Sequence, residues 1–279
     1  MHGRRFEPAG RCIFCGSDGG AQRLRDEHIM PYSLGGTAVL PKASCAECEK
    51  ITSYLDGYLS RQIFYDCRLA AGIQSRTPKS RRPKTRPFLV SRQGKEELRE
   101  FPVGDHPFVT MLPVLGHPGI LTGRLPGAPF SSDRAFAYYY YPPGYTDQYD
   151  LPSIEQLQRT FKRGANLDVY ARALAEIGYC HGVATGHIEA NAALPVAECI
   201  LGKNGFASYL VGSDPTEPGI PDEQPILHRV RTVINHRRDA DIYAAEIRLF
   251  AHMAAPDDGV ERGMPTYFVA LKREVRPTP

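Results

Sequence analysis

Three short stretches near the beginning of this chain decide its fold: CIFC at residues 12–15, RDEHIMPYSLGG at residues 25–36 and CAEC at residues 45–48. The first and third stretches each hold two cysteines separated by two residues, a spacing that lets both sulfurs reach one ion from a tight turn. Two such pairs supply the four thiolates of a tetrahedral structural zinc site. The predicted zinc ligands are Cys12, Cys15, Cys45 and Cys48.

The chain has seven cysteines, an odd number that does not suit a disulfide framework. Clustered cysteines in a reducing compartment are more typical of metal sites, and two pairs in one short segment favour zinc over a redox pair or a coincidence. The other three, Cys67, Cys180 and Cys199, stand alone in apolar or mixed stretches. We expect them to be buried small side chains without chemistry of their own.

The segment between the cysteine pairs carries a second motif. The order C-x-x-C, Glu-His-Ile-x-Pro-x-x-Leu-Gly-Gly, C-x-x-C over about residues 12–60 resembles the zinc-stabilised HNH endonucleases, a branch of the ββα-metal nucleases. The resemblance covers roughly a fifth of the chain. It implies two strands followed by a helix, and metal-dependent hydrolysis of phosphodiester bonds.

By this resemblance, His28 is the general base that activates a water molecule, and Glu27 is a ligand of the catalytic divalent ion. Imidazole titrates near neutral pH and can accept the proton of that water. A hard carboxylate oxygen suits Mg²⁺ or Mn²⁺. Neighbouring strand residues point to opposite faces, so these two residues can share a site only where the strand ends and bends, as it does in the family.

The following helix should supply the second metal ligand. A capping-box spacing at residues 44–47 predicts that a helix starts there and ends near residue 65. The family usually has Asn or His directly after the second cysteine pair, whereas this chain has Glu49, which we predict to be the second carboxylate ligand. The Asn that orients the base in the family has no counterpart in residues 37–43. Asp56, seven residues after Glu49, is either a bystander or a further acid near the metal.

A basic, proline-rich stretch, SRTPKSRRPKTRP, follows at residues 75–87. Proline at this density blocks helix and sheet, so we predict an extended linker. Residues 1–87 carry 15 Lys and Arg against 8 Asp and Glu, while the rest of the chain carries 19 against 23. This asymmetry indicates a polyanion partner for the N-terminal part, with a plain soluble linker as the alternative. The predicted nucleic-acid contacts are Arg76, Lys79, Arg81, Arg82, Lys84 and Arg86.

The rest of the chain is predicted to be an α+β region without a recognisable chemical motif. Runs of β-branched and aromatic residues at 108–115 and 134–141 predict strands. One helix is predicted from Ser153, where a Ser-x-x-Gln spacing marks a start, and another over residues 167–184. Four late strands in succession predict an antiparallel meander with a helix packed on one face. These strands are predicted at residues 206–212, 226–235, 241–252 and 264–273.

The sequence therefore predicts an α+β fold: a zinc-bound ββα-metal domain at 1–74, the linker at 75–87, and a larger domain with an antiparallel sheet at 88–279. The last domain would position substrate, mediate a homodimer or regulate the first. The predicted activity is endonucleolytic cleavage of double-stranded DNA, with DNA preferred over RNA only by family habit, in a setting such as bacterial defence or restriction. The alternative is a catalytically inactive zinc module that binds nucleic acid or acts as an adaptor.

The bulk composition limits the class of protein. The hydrophobic content of 42% is enough to form a core, and no run of about 18 apolar residues predicts a membrane span. The opening MHGRRFEPAGRC lacks the apolar stretch of a signal peptide. We therefore expect a cytoplasmic protein that does not act at a membrane.

Overall fold

The computed structural model describes most of the chain, and some predictions fall outside it. The described residues are 3–20, 23–73, 83–131, 135–153, 166–190, 192–214, 227–251, 254–257, 260–263 and 265–276. The helix predicted from Ser153 lies outside these residues, as do four of the six basic residues predicted to contact nucleic acid: Arg76, Lys79, Arg81 and Arg82.

The described residues form a mixture of helices and antiparallel sheets, which confirms the predicted α+β class. The strands are β1 (Arg25–His28), β2 (Val39–Ser44), β3 (Thr85–Arg92), β4 (Lys95–Pro102), β5 (Phe108–Pro113), β6 (Ala135–Tyr140), β7 (Val211–Ser213), β8 (His228–His236), β9 (Ala240–Leu249), β10 (Ala254–Asp257), β11 (Val260–Gly263) and β12 (Tyr267–Val275). The helices are α1 (Ala46–Tyr58), α2 (Tyr65–Ala70), α3 (Gly119–Thr122), α4 (Leu167–Ala184), α5 (Pro195–Ile200) and α6 (Ala207–Leu210).

The N-terminal unit has the predicted order of two strands and a helix. Strands β1 and β2 pair antiparallel, with Glu27 opposite Leu40 and His28 opposite Val39. Helix α1 follows at once and buries Leu55 against the core. The predicted capping box is wrong, because Ser44 is the buried last residue of β2 and Cys45 takes the N-cap position without a side-chain cap.

A π-helical turn, Leu59–Ile63, ends α1 and leads into the short helix α2. The helix predicted to end near residue 65 is therefore the α-helix α1, continued by this turn as far as Ile63. Leu59 is fully buried at the start of this turn and Phe64 at its end. The turn thus keeps both side chains in the core while the chain changes direction.

The larger part of the chain is organised around a four-stranded antiparallel sheet in the order β7-β12-β9-β8. The predicted meander order is wrong, because β7 pairs with the far edge of β12 instead of with β8. Ser213 fixes it there, accepting a hydrogen bond from Leu115 N at 2.9 Å and donating its own N–H to Gly116 O at 2.7 Å. The strand predicted at 206–212 is also wrong in its first half, which forms α6.

Helix α4 matches the predicted boundaries and packs on this sheet. Asn166 caps its first turn, accepting a hydrogen bond from Val169 N at 3.1 Å. The helix approaches the sheet closely at Gly178, where an added Cβ would lie 3.0 Å from Ala245 Cβ and 3.2 Å from Val269 Cβ. A side chain at this position would push the helix away from the sheet.

Three two-stranded antiparallel sheets complete the described strands: β3–β4, β5–β6 and β10–β11. The strands predicted at 108–115 and 134–141 correspond to β5 and β6. Strand β3 begins at Thr85, so the end of the predicted extended linker forms a strand paired with β4. Proline is tolerated there because Pro87 lies in a two-stranded ribbon, where every strand is an edge.

One continuous hydrophobic core joins the N-terminal unit to α4 and the four-stranded sheet. Tyr179 of α4 donates its hydroxyl to the carbonyl oxygen of Ile13 at 2.8 Å, and Asn166 N donates to the hydroxyl of Tyr58 at 2.8 Å. Whether the chain divides at the predicted domain boundaries stays a prediction. Among the described residues, we find no helix with the length and apolar character needed to cross a bilayer.

Candidate metal centre and active site

The four predicted cysteines converge on one point. Their sulfur atoms all lie within 4.8 Å of one another. The first pair sits in a turn closed by Gly16, which has a φ of +77° and donates its N–H to Cys12 O at 2.8 Å. Ile13 N donates to Ala43 O at 2.8 Å, which ties this turn to β2. The second pair is carried by the N-terminal end of α1.

The thiols interact as a metal site requires. A hydrogen bond between Cys12 and Cys48 lowers the pKa of Cys12 and raises the pKa of Cys48. The N-terminus of α1 also favours negative charge on the second pair. Four sulfurs at this separation fit a tetrahedral ion such as zinc.

A cavity of about 540 Å³ is lined by the end of β1 and by α1, and it gathers the residues predicted for catalysis. Glu27 and His28 line it from the end of β1, while Glu49 and Asp56 line it from α1. The β1–β2 register shifts between Arg25 and Glu27, so the regular alternation is broken just before the Glu-His pair. Both adjacent side chains line the same cavity, as expected where the strand ends.

Glu27 is the most buried acid of this cavity, with 7% of its surface exposed. Its Oε1 accepts a hydrogen bond from Thr52 Oγ1 of α1 at 3.2 Å. Burial raises the pKa of Glu27 to about 7, and the nearby charges of Glu49 and Cys12 also raise it. A cation beside this carboxyl group would stabilise its charged form and lower its pKa.

His28 is half-buried beside Glu27. Its ring meets that of Tyr32 edge to face, with the centroids 5.7 Å apart. Tyr32 lines the same cavity and belongs to the 3-10 turn Tyr32–Leu34, which follows Pro31 of the quoted motif. The motif thus positions the imidazole at the mouth of the acidic cavity.

The two acids on α1 differ in their surroundings. Glu49 is partly exposed and forms an ion pair with Arg25, Nη1 to Oε2 at 2.5 Å. Asp56, two helical turns further on, is half-buried. Burial raises the pKa of Asp56 to about 7, and the charge of Glu27 raises it further. The spacing of seven from Glu49 is the sequence signal that indicates Asp56.

Comparison with known proteins agrees with this geometry. Residues 12–64 match the HNH endonuclease family. The HNH segment contains the four cysteines, Glu27, His28, Glu49 and Asp56. It spans about a fifth of the chain. Comparison with curated proteins gives no match, and neither does comparison with solved structures.

Two of the six predicted nucleic-acid contacts, Lys84 and Arg86, lie within the described residues. Lys84 is exposed, whereas Arg86 forms an ion pair with Asp66 and stacks 4.4 Å from the ring centroid of Tyr65. Arg61 and Arg68 line the acidic cavity itself.

A second groove adjoins the acidic cavity and shares Asp26 and Glu49 with it. Its volume is about 700 Å³. Four of its lining residues are basic: Arg5, Arg23, Arg25 and Lys42. These residues are scattered over the first 42 positions, and the β1–β2 pairing with its register shift brings them together.

Proposed function

We propose that the protein is a metal-dependent endonuclease that hydrolyses phosphodiester bonds in double-stranded DNA, with its active site in the acidic cavity of the HNH segment. The observation that carries this proposal is that Glu27, His28 and acids of α1 line one open cavity beside a four-cysteine centre. Composition alone would not favour this function, because the net charge of the chain is only +3.

In this proposal His28 accepts the proton of the attacking water. Its half-exposed position beside the cavity gives access to solvent, and imidazole is suited to that proton transfer near neutral pH. Glu27 and Glu49 offer the hard oxygen atoms that Mg²⁺ or Mn²⁺ prefers, so the residues present fit such an ion. When bound, the ion would supply charge stabilisation at the phosphate and the leaving oxygen.

The substrate would be held by its phosphates. Arg61 and Arg68 line the cavity and four basic residues line the groove beside it, so both places would attract the phosphates of a bound strand. Contacts of this kind carry no sequence information, so we propose binding without a recognition sequence. The basic stretch at 75–87 would add to the affinity by release of counterions.

The four-cysteine centre would hold a structural zinc ion in this function. A set of four thiolates leaves no open position for substrate, which is typical of structural zinc and not of catalytic zinc. Its location at the N-terminus of α1 lets the ion fix the helix against the turn at Cys12. The ion would thereby keep Glu49 and Asp56 in place across the cavity.

The proposal is tested by incubating the full-length, zinc-loaded protein with supercoiled plasmid and Mg²⁺ or Mn²⁺. We expect nicking by the wild type and a loss of about 100-fold or more in the rate for His28→Ala. His187→Ala, at an exposed position on the turn after α4, serves as the matched control and should cleave like the wild type. Binding to plasmid without cleavage at either metal would contradict the proposal.

That result would favour a second candidate, a nucleic-acid-binding module without catalysis. The ion pair between Glu49 and Arg25 is the observation in its favour, because it occupies the position where the family usually has a free Asn or His. In that case both the wild type and His28→Ala would bind plasmid with equal affinity.

A further inference from the structure

Helix α2 places a buried arginine in the lining of the acidic cavity. Arg68 has only 8% of its surface exposed, and it lies outside the HNH segment. Its Nε is shielded from solvent and has no hydrogen-bond partner in the part of the chain that the structure describes. Its Nη1 donates to Ser60 O at 3.5 Å, which is the outer limit of a hydrogen bond. The guanidinium is therefore buried with little to compensate its charge.

The charge of Arg68 is not balanced by an acid. None of the acids that line the cavity pairs with it among the described residues, and Asp66, two residues earlier, pairs with Arg86 instead. The ring of Tyr65 gives only a weak contact, with its centroid 5.9 Å from Arg68 Cζ. Burial lowers the pKa of Arg68, but a guanidinium stays charged near neutral pH. Because it cannot lose its proton as a buried carboxyl group gains one, it needs an anion.

The guanidinium is carried by a firmly anchored piece of backbone. Arg68 N donates to Phe64 O at 2.9 Å, and Phe64 is fully buried at the end of the π-helical turn. The neighbouring Cys67 bonds to Thr110 Oγ1 at 3.0 Å, which ties α2 to β5. A donor that is already fixed loses little conformational entropy when an anion binds. The surroundings of Arg68 therefore favour binding over a loose surface contact.

A second arginine belongs to the same part of the cavity. Arg61 lines it from the π-helical turn and is exposed. A Cβ added at Gly57 would lie 2.2 Å from Arg61 Nη2, so the glycine leaves this guanidinium room to lie across α1. Arg61, like Arg68, forms no ion pair within the described ranges of the chain. Acids and arginines thus line one cavity without neutralising each other, as expected where a ligand supplies the anion.

We propose that Arg68, assisted by Arg61, binds one phosphate group in this cavity, and that it does so without a divalent cation. The proposal rests on the function proposed above and deepens it, because it assigns a single phosphate of the substrate to a residue of α2. A guanidinium can donate two parallel hydrogen bonds to one phosphate, whereas a lysine ammonium acts as a point charge. The phosphate would share the cavity with His28.

The test titrates inorganic phosphate into the full-length, zinc-loaded protein without Mg²⁺, Mn²⁺ or nucleic acid, and follows binding by phosphorus NMR. We expect Arg68→Gln to weaken binding at least about tenfold, and Arg61→Gln to weaken it less. Arg68→Lys should also weaken it, because an ammonium group cannot replace two parallel hydrogen bonds. The matched control is Arg99→Gln, which removes an exposed arginine paired with Glu97 and should bind within about twofold of the wild type.

A purely structural arginine would behave differently when phosphate is absent. In phosphate-free buffer, Arg68→Met removes an uncompensated buried charge, so its thermal midpoint should equal or exceed that of the wild type. Added phosphate should raise the midpoint of the wild type more than that of Arg68→Met. A lower midpoint of Arg68→Met in phosphate-free buffer would overturn the proposal, because the guanidinium would then be satisfied within the fold.

The titration can overturn the proposal as well. It would do so if the wild type bound no phosphate at millimolar concentrations, if Arg68→Gln bound like the wild type, or if Arg23→Gln, in the neighbouring basic groove, lost more affinity than Arg68→Gln. Zinc content and circular dichroism confirm folding, and Arg68→Met replaces Arg68→Gln if the latter does not fold. Failure of both to fold would mark Arg68 as structural and overturn the proposal.

The binding result is separate from cleavage, because neither DNA nor a divalent cation is present. Phosphate binding that depends on Arg68, without nicking of plasmid under any metal condition, would support the phosphate site and contradict the nuclease activity alone. Nicking by a wild type that binds phosphate independently of Arg68 would support the nuclease activity and overturn the phosphate site alone.

Discussion

The two sites of the N-terminal unit share helix α1 but are built in opposite ways. At the four-cysteine centre the sulfur atoms lie within 4.8 Å of one another, and no other group of three or more possible ligands in the described residues is as compact. In the acidic cavity the carboxylates stand further apart around a space of about 540 Å³. The first site would close around an ion, whereas the second leaves room for water and a phosphate.

This difference indicates how the two ions would act on stability. Metal binding and folding are one event at a closed thiolate centre, since the unfolded chain has no such site. The acidic cavity instead collects like charges that oppose folding until a cation arrives. The N-terminal unit would thus need the ion of the cysteine centre in order to fold. The like charges of the acidic cavity would destabilise the folded state until the second ion binds.

The largest effect is expected from breaking the cysteine centre. Cys45→Ala removes one of four sulfurs from the N-cap of α1, and we expect loss of zinc and unfolding of the N-terminal unit. Zinc content and thermal unfolding followed by circular dichroism measure this. Cys67→Ser is the matched control, because Cys67 is buried, lies outside the centre and bonds to Thr110 Oγ1 at 3.0 Å. Full zinc content and unchanged thermal stability in Cys45→Ala would contradict the four-cysteine site.

An effect of intermediate size on stability is expected when a change of pH alters the charge of the acidic cavity. The pKa of Glu27 is about 7 in the folded protein and near 4.5 when unfolded, so the folded state binds more protons between these values. Stability of the protein without Mg²⁺ or Mn²⁺ should therefore fall as pH rises from about 4.5 to about 7. Asp56 shifts in the same direction and adds to the slope.

Glu27→Gln tests this dependence. Relative to the wild type, the variant should gain about 2 kcal/mol in free energy of unfolding between pH 5.5 and pH 7.5, measured by urea denaturation. Comparing two zinc-loaded proteins at each pH cancels the pH dependence of the cysteine centre. Glu47→Gln should show no such change, because its side chain is mostly exposed. A gain that does not depend on pH would refute the assignment to the carboxyl of Glu27.

The smallest effect concerns the link between the cysteine centre and α4. Tyr179→Phe removes the hydroxyl bonded to Ile13 O and leaves a buried carbonyl without a partner. We expect a loss of about 1–2 kcal/mol in the free energy of unfolding, measured by urea denaturation, with zinc retained. Tyr54→Phe, at an exposed position on α1, should change stability by less than about 0.5 kcal/mol. A neutral Tyr179→Phe would show that this bond does not contribute to stability.

Local patterns were enough to predict part of this structure. The cysteine spacing predicted the metal centre, and apolar periodicity predicted the boundaries of α4. The strand order could not be predicted, because β7 is placed on β12 by contacts of Ser213 with a loop almost 100 residues away. Strand β4 was missed because its sequence, KEELREFP, is almost wholly exposed and has no alternating pattern.

The candidate site shows the same limit. Glu27, His28 and Glu49 were predicted from a contiguous motif, and the structure places them around one cavity. For Asp56 the sequence predicted either a bystander or a further acid near the metal, because its spacing from Glu49 gives the face of the helix and not the position of Glu27. That position depends on how α1 packs against β1, which only the folded chain shows.

The bond between Tyr179 and Ile13 joins residues 166 positions apart in the chain. The recognisable motif ends at residue 64. A recombination joint placed just after it would transfer the four cysteines and the Glu-His pair without helix α4, which packs against them. The transferred part would expose the face of α1 that α4 covers and leave the Ile13 carbonyl unpaired. Exchange of this motif between genes therefore has to bring helix α4, or a helix of equivalent shape, with it.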